Sequence, residues 1–381
     1  MATTFHNGRV LIDDRLTEGV AVTIEGGRIT RLGSIQDAAA GERIDLDGRM
    51  LAPGFVDTQV NGGGGVLFNA CPTVDCIAAI GKAHRVFGTT GFLPTLISDD
   101  LSVIDTAITA VEDAIARGVP GVLGIHIEGP YLNENRKGVH DASKFRTLDP
   151  DAIARLTRLK GGRTLVTLAP EMTTPEMIRR LVAAGAVVAA GHTDANYAET
   201  RAGLDAGMTG FTHLFNAMSP LVNRAPGAVG AALEDIHAWC GLIVDGHHVD
   251  PVVLRLALRC RPLNRFMLVT DAMPSVGDDR DHFDIQGRRI EVRDGMCVAP
   301  DGTLAGSDLN MAAAVRNARD LLSLDIASAL QMASAWPAEF LGLGGSRGAI
   351  RQGLSADLLI VDDQINVARS WIAGVEASPC D

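Results

Sequence analysis

Eight short apolar runs recur through the middle of this chain, near 52–58, 89–96, 122–128, 164–169, 186–191, 209–213, 240–245 and 266–271. Helix-patterned stretches at 101–117, 149–160, 174–184, 195–206 and 250–259 separate most of them. Several of these stretches open on capping residues, such as Ser98-Asp99 and Thr173-Thr174-Pro175. Runs of β-branched and small apolar residues suit strands that are buried on both faces, as in a parallel sheet. Eight of them alternating with helices is the count of a (β/α)8 barrel of the TIM type, with an open doubly wound sheet as the alternative. Segments 312–330 and 334–343 read as helices that close the barrel. The Asp- and Gly-rich stretch 274–305 reads as an insertion after the eighth strand, carrying its own hairpin and forming a candidate lid.

The two ends have another character. GVAVTIEGGRITRLG has alternating runs flanking Gly26-Gly27, a hairpin turn that tolerates positive φ. RIDLDGRMLAP repeats the pattern around Asp47-Gly48, and GAIRQGLSADLLIVDDQINVARSWIAGV is again strand-like. Chain ends commonly lie close together at a domain surface. The expected architecture is therefore a small β-sandwich-like domain of residues 1–52 plus 347–381, built on a barrel of residues 53–346.

Four of the runs stop on residues that can hold a metal or move a proton: Glu128, His192, His213 and Asp271. The C-terminal ends of barrel strands face one mouth, so these side chains can converge there. Two imidazoles and a carboxylate leave a zinc site with a position open for water. A metal held so makes water more acidic and polarises a carbonyl. Asp271 is placed to take the water's proton and return it to a leaving amine. Each residue alone could be an ordinary strand-end cap. Four at matching strand ends point to a metal-dependent hydrolase.

Charge narrows the partners. A net charge of −12 argues against nucleic acid or an anionic membrane. No apolar run approaches the roughly 20 residues that span a bilayer. The opening MATTFHNGRVLIDD lacks the apolar stretch of a secretion signal, so a cytoplasmic location is expected. The cysteines at 71, 76, 240, 260, 297 and 380 contain no C-x-x-C, and free thiols are expected. A metal clip or redox pair at Cys71 and Cys76 is the lesser reading.

The motifs HIEGPYLN (126–133), AAGHTDA (189–195), HLFNAM (213–218), NRAPG (223–227), DGHHVD (245–250), VTDAMP (269–274) and LAGS (304–307) follow in order. Together they resemble the N-acetylglucosamine-6-phosphate deacetylases of the amidohydrolase superfamily. The likeness runs from PGFVD at 53–57 to SADLLIVD near 355–362, and it implies the same barrel with a small sheet domain. It implies that Glu128, His192 and His213 hold the metal, and that Asp271 is general base and then acid. His140 would stand by the substrate carbonyl and help stabilise the oxyanion. Asn216 and Ala217 would meet the phosphate, with Arg224 lent across a homodimer interface. His248 would complete the phosphosugar site, and Ser307 would lie against the substrate. The reaction implied is removal of the acetyl group of N-acetylglucosamine 6-phosphate, giving glucosamine 6-phosphate and acetate.

One departure stands out. The wider superfamily commonly carries H-x-H after PGFxD, whereas this chain has Gln59 and Asn61. Neutral amides are poor zinc ligands, so one divalent ion per subunit is expected. Zinc is the first choice and iron, manganese and cobalt are alternatives. Gln59 and Asn61 would line the site and contact substrate or water. The run Gly62–Gly65 lacks the GK[ST] ending of a phosphate loop and reads as a flexible loop beside the site. His126 reads as a packed barrel histidine and His247 as a flank of His248. Deacetylation of another N-acetylhexosamine phosphate, opening of a cyclic amide, and a catalytically dead scaffold remain the rival readings.

Overall fold

The computed structural model describes residues 1–37 and 40–377, so Cys380 and the last residues of the expected C-terminal β segment lie outside the described part. Each of the eight apolar runs overlaps a strand: β1 (Phe55–Val60), β2 (Thr89–Ile97), β3 (Gly124–Glu128), β4 (Arg163–Leu168), β5 (Val187–Ala190), β6 (Gly210–Phe211), β7 (Trp239–Leu242) and β8 (Phe266–Leu268). They pair in sequence order, all parallel. Just past β8 the ring closes: the Asp271 N–H donates to the Gln59 carbonyl at 3.0 Å, and Val60 bridges Ala272 in parallel. The result is a nearly closed (β/α)8 barrel.

Burial on both faces explains why these runs show no alternation. All nine residues of β2 are buried, as are all of β1 and β3. Eight helices follow the strands: α1 (Val74–Arg85), α2 (Leu101–Ala116), α3 (Pro150–Leu156), α4 (Pro175–Ala183), α5 (Tyr197–Asp205), α6 (Gly227–Glu234), α7 (Pro251–Cys260) and α8 (Met311–Leu322). Their starts are written in side chains. Asp149 caps α3 and Thr174 caps α4, each with proline at the first turn. Asn196 and Glu199 form a reciprocal capping box on α5.

Two helices escape the sequence pattern. Helix α6 reads GAVGAALE, and six of its eight residues are buried, so no polar stripe reveals its period. Helix α1 has a clear start, with the Thr73 side chain accepting from the Cys76 N–H. The single helix expected over 312–330 is instead two. Ser323 takes the left-handed conformation (φ 59°), which ends α8, and Asp325 caps a new helix, Ile326–Met332.

The chain ends build two sheets that share one apolar core. Ala2–His6, Ala21–Glu25, Arg28–Gly33 and Gly41–Asp45 form one sheet. The other joins Arg9–Ile12, Arg15–Glu18 and Met50–Pro53 to Leu358–Val361, Val367–Ile372 and Val375–Glu376. Phe5 meets Trp371 edge-on between the sheets, centroids 4.8 Å apart. Gly26 and Gly27 form the expected hairpin turn, both at positive φ. Asp47 and Gly48 also turn at positive φ, but the strands on either side join different sheets. That turn is a corner between sheets rather than a hairpin.

Three further segments bear on the site. Residues 274–305 contain the hairpin His282–Ile285/Arg288–Arg293, which Met296–Val298 and Leu304–Ser307 extend to a four-stranded antiparallel sheet. The glycine run is tied down rather than loose. Gly62–Gly63 pairs with Val66–Leu67, and the Gly64 and Gly65 N–H groups donate to the Val276 and Pro274 carbonyls. A Cβ at Gly63 would lie 2.8 Å from the His84 ring, and His84 Nε2 donates to the Gly62 carbonyl. Finally, Cys71 and Cys76 are joined as a disulfide, contrary to the expected free thiols, with Cα atoms 6.1 Å apart. The turn that enters α1 folds Cys71 back toward Cys76, a proximity that linear spacing does not reveal.

Candidate active site

Glu128 at the end of β3, and His192, His213 and Asp271 two or three residues past the ends of β5, β6 and β8, line one cavity of about 380 Å³. A wider hollow of about 530 Å³ lies against α1 and α2, and its lining of Asp75, Asp105 and Asp113 brings no histidine to it. At the mouth the backbone turns sharply. His192, His213 and Asp271 have φ of 49°, 31° and 52°, and Phe215 and Ala217 follow at 80° and 51°. A left-handed conformation costs a non-glycine residue roughly 1–2 kcal/mol, a cost the surrounding packing must absorb.

Three donor atoms nearly touch. Glu128 Oε1 lies 3.2 Å from His192 Nε2 and 3.0 Å from His213 Nε2, and the two Nε2 atoms are 3.1 Å apart. All three side chains are buried. Tetrahedral ligands on metal bonds of roughly 2.0–2.2 Å sit roughly 3.3–3.6 Å from one another, close to this spacing. His192 Nδ1 lies 2.8 Å from the Arg136 carbonyl, which can only accept. That nitrogen therefore carries the hydrogen, and Nε2 offers its lone pair to the cavity. Burial alone would push the Glu128 carboxyl upward, but the His192 and His213 imidazoles packed against it outweigh burial and hold the group well below its ordinary range. Burial likewise works against His213, yet Glu128 draws its pKa up. A carboxylate that draws a proton toward His213 this way occupies a place suited to a cation. Glu128, His140 and His192 also present donors within 4.8 Å of one another, a buried set that suits a divalent metal.

His140 is fixed from behind. The Ser98 N–H donates to its Nδ1 at 3.3 Å, with the Ser98 hydroxyl at 2.8 Å. An Nδ1 that accepts leaves the hydrogen on Nε2. Burial, then the charge of His192, holds His140 well below the usual histidine range. It is a neutral donor.

Gln59 and Asn61 are both 1% exposed and are absent from the cavity wall. Gln59 Nε2 donates to Glu128 Oε1 and Oε2 at 3.1 and 3.2 Å and to Asp271 Oδ1 at 3.0 Å. Asn61 Nδ2 donates to the same Asp271 oxygen at 2.6 Å. The expected contact with substrate gives way to a clamp, because two carboxylates within reach take up the amide hydrogens. Burial, then the charge of Glu128, raises Asp271 to about 6.

Ser307 also differs from expectation. Its hydroxyl donates to the Thr270 carbonyl and accepts from the Leu309 N–H, and its N–H donates to the Asp271 carbonyl at 2.9 Å. With every polar group engaged and no exposure, Ser307 braces the Asp271 turn instead of facing a substrate. Asn216, Ala217 and His248 do line the cavity. His248 Nδ1 donates to Asp245 Oδ2 at 2.6 Å, which directs Nε2 away from that carboxylate. Arg224 is exposed and stands off the wall of this chain's own cavity. His247, next to His248 in sequence, is exposed. His126 is packed inside the barrel, with Nδ1 3.2 Å from Thr95 Oγ1 and Nε2 2.7 Å from Thr167 Oγ1.

Sequence reasoning missed Ser98, Asn135, Arg136, Met273 and Thr303. The last four line the cavity; Asn135 and Arg136 lie only a few residues past HIEGPYLN.

The amidohydrolase family model matches residues 50–378. The chain is 43% identical to an N-acetylgalactosamine-6-phosphate deacetylase from Shewanella sp. (strain ANA-3), over 96% of this chain and 93% of that protein. It is 36% identical to the N-acetylglucosamine-6-phosphate deacetylase of Homo sapiens, over 97% and 94%. The crystal structure of N-acetylglucosamine-6-phosphate deacetylase from Pasteurella multocida superposes with a TM-score of 0.96 at 32% identity, covering 99% of this chain and 100% of that one.

Proposed function

This chain belongs to the amidohydrolase family, and from that premise we propose that it is a deacetylase that hydrolyses N-acetylglucosamine 6-phosphate to glucosamine 6-phosphate and acetate. The observation that carries the reading is the buried meeting of Glu128, His192 and His213 beside Asp271 in one cavity. Those three residues would hold one divalent ion, with zinc the first choice over iron, manganese or cobalt. His140 is less suited to be a ligand, since Ser98 engages its Nδ1 and leaves a hydrogen on Nε2. When bound, such an ion makes water acidic enough to be a nucleophile near neutral pH and polarises the acetamide carbonyl.

The chain's own groups do the rest. Asp271, held by Gln59 and Asn61, accepts the proton of the attacking water. His140 donates its Nε2 hydrogen to the carbonyl oxygen as charge develops there. Asp271 then gives the proton to the departing amine, so that the C–N bond breaks to free amine and acetate. Asn216, Ala217 and His248 would receive the phosphosugar. Arg224, exposed next to Leu221 (56% exposed) and Val222 (49%), would reach a partner's cavity in a homodimer. We further propose a cytoplasmic enzyme, with residues 53–346 as the catalytic barrel, 1–52 plus 347–381 as the small β domain, and 274–305 as a lid.

A second reading is favoured by the Shewanella relative: the epimeric N-acetylgalactosamine 6-phosphate as substrate. Side-by-side kcat/KM measurements on the two phosphosugars test both. Turnover of neither would overturn the function, and a higher value for the galacto epimer would replace the first reading with the second.

A further inference from the structure

We propose that Arg136 is the phosphate-binding cation that this chain supplies to its own active site, an inference that rests on the phosphosugar reading above. A substrate phosphate entering the cavity meets two carboxylates, Glu128 and Asp271, and a protein of net charge −12. Among the described residues Arg136 is the single arginine or lysine on the cavity wall, whereas Arg224 stands outside it.

Its placement is fixed on two sides. The Arg136 carbonyl accepts from His192 Nδ1 at 2.8 Å, which ties the Glu134–Arg136 turn to the catalytic centre. The Arg136 Nε donates to Asp194 Oδ1 at 2.8 Å. Asp194 is itself braced, since its N–H donates to Glu171 at 2.7 Å. The neighbouring Thr193 N–H donates to the Ala217 carbonyl at 3.0 Å, so the ion pair sits beside the Asn216–Ala217 wall. With Nε engaged, the two Nη groups have no partner among the described residues, and both Arg136 and Asp194 are about one-third exposed. A guanidinium held by Nε with its Nη groups open is arranged to grip a phosphate. A purely structural arginine would use those hydrogens on the protein.

The test compares Arg136→Ala and Arg136→Lys with wild type on N-acetylglucosamine 6-phosphate and on unphosphorylated N-acetylglucosamine. Arg136→Ala should raise KM for the phosphosugar about tenfold or more while kcat stays within about threefold, with kcat/KM on the neutral sugar unchanged and Arg136→Lys intermediate. An unaltered KM, or an equal loss on both sugars together with loss of bound metal, would overturn the proposal in favour of a purely structural arginine. If wild type turns over neither sugar, the glucosamine reading fails, and calorimetric titration with inorganic phosphate still judges Arg136. Phosphate binding by wild type that disappears in Arg136→Ala supports the site; equal binding by both, or binding by neither, refutes it.

Discussion

Asp271 is held by two neutral amides, and that choice decides what it can do. A second metal in place of Gln59 and Asn61 would stabilise the carboxylate's charge and weaken it as a base. Amide donors orient it at 3.0 and 2.6 Å while burial, then Glu128, raises it to about 6. Asp271→Asn should lower kcat by about a thousandfold or more, as removal of an essential proton carrier does, while a stoichiometric metal remains bound. Retained turnover would remove Asp271 from the mechanism. The sign of the pH dependence follows from its role. The base must be ionised, so kcat/KM should fall on the acid side of the profile as Asp271 takes up its proton, and a profile with no acid limb would contradict the assignment. At this scale the strand-end residues were legible because acid and imidazole groups interrupt apolar runs. Ser307 and the amides were not, because sequence does not say which polar neighbour consumes a hydrogen bond. Arg136 was hidden for a simpler reason: it lies on a loop, where no periodicity fixes direction.

At the scale of elements, α1 and the glycine hairpin form one unit that the sequence pattern left unread. His84 on α1 is fully buried and donates to the Gly62 carbonyl at 2.8 Å. Burial lowers its pKa from 6.5 to about 4. Both folded and unfolded chains hold it neutral above 6.5, so its contribution is complete there. As pH falls toward 4, only the unfolded chain gains the proton and stability is lost, by about 3 kcal/mol over the full span. Asp57, raised to about 7 mainly by burial, acts in the opposite sense: its contribution is present at low pH and is lost as pH rises through about 7. The His84→Gln variant separates the two. In urea unfolding, its stability deficit relative to wild type should shrink by about 2.5 kcal/mol between pH 7.5 and 4.5, whereas a constant deficit would show that His84 does not titrate on unfolding. Strands were the most legible elements, since burial on both faces leaves an unbroken apolar run. Helix α6 was illegible for the same reason, because small apolar residues on nearly all sides carry no period.

For the whole molecule, strand count and alternation were enough to indicate the barrel, and the β character of both ends was enough to indicate their meeting. What the sequence left open was closure, which depends on contacts such as Thr270 with Asp57 across 213 positions, and the routing of the Asp47-Gly48 corner between sheets. Those contacts set the first and last strands side by side and bring Asp271 over the amides of β1 and its following residue. This assembly is built to hydrolyse the acetamide of an amino-sugar phosphate, with one divalent ion proposed at Glu128, His192 and His213. The most direct measurement is deacetylation of N-acetylglucosamine 6-phosphate by purified protein, after chelation and after return of metal. Turnover should vanish on chelation and return with about one equivalent of zinc or another divalent ion per chain. Undiminished turnover by protein stripped of metal would rule out the metal at Glu128, His192 and His213, and no acetate released by the metal-loaded protein from either epimer would rule out the deacetylase function.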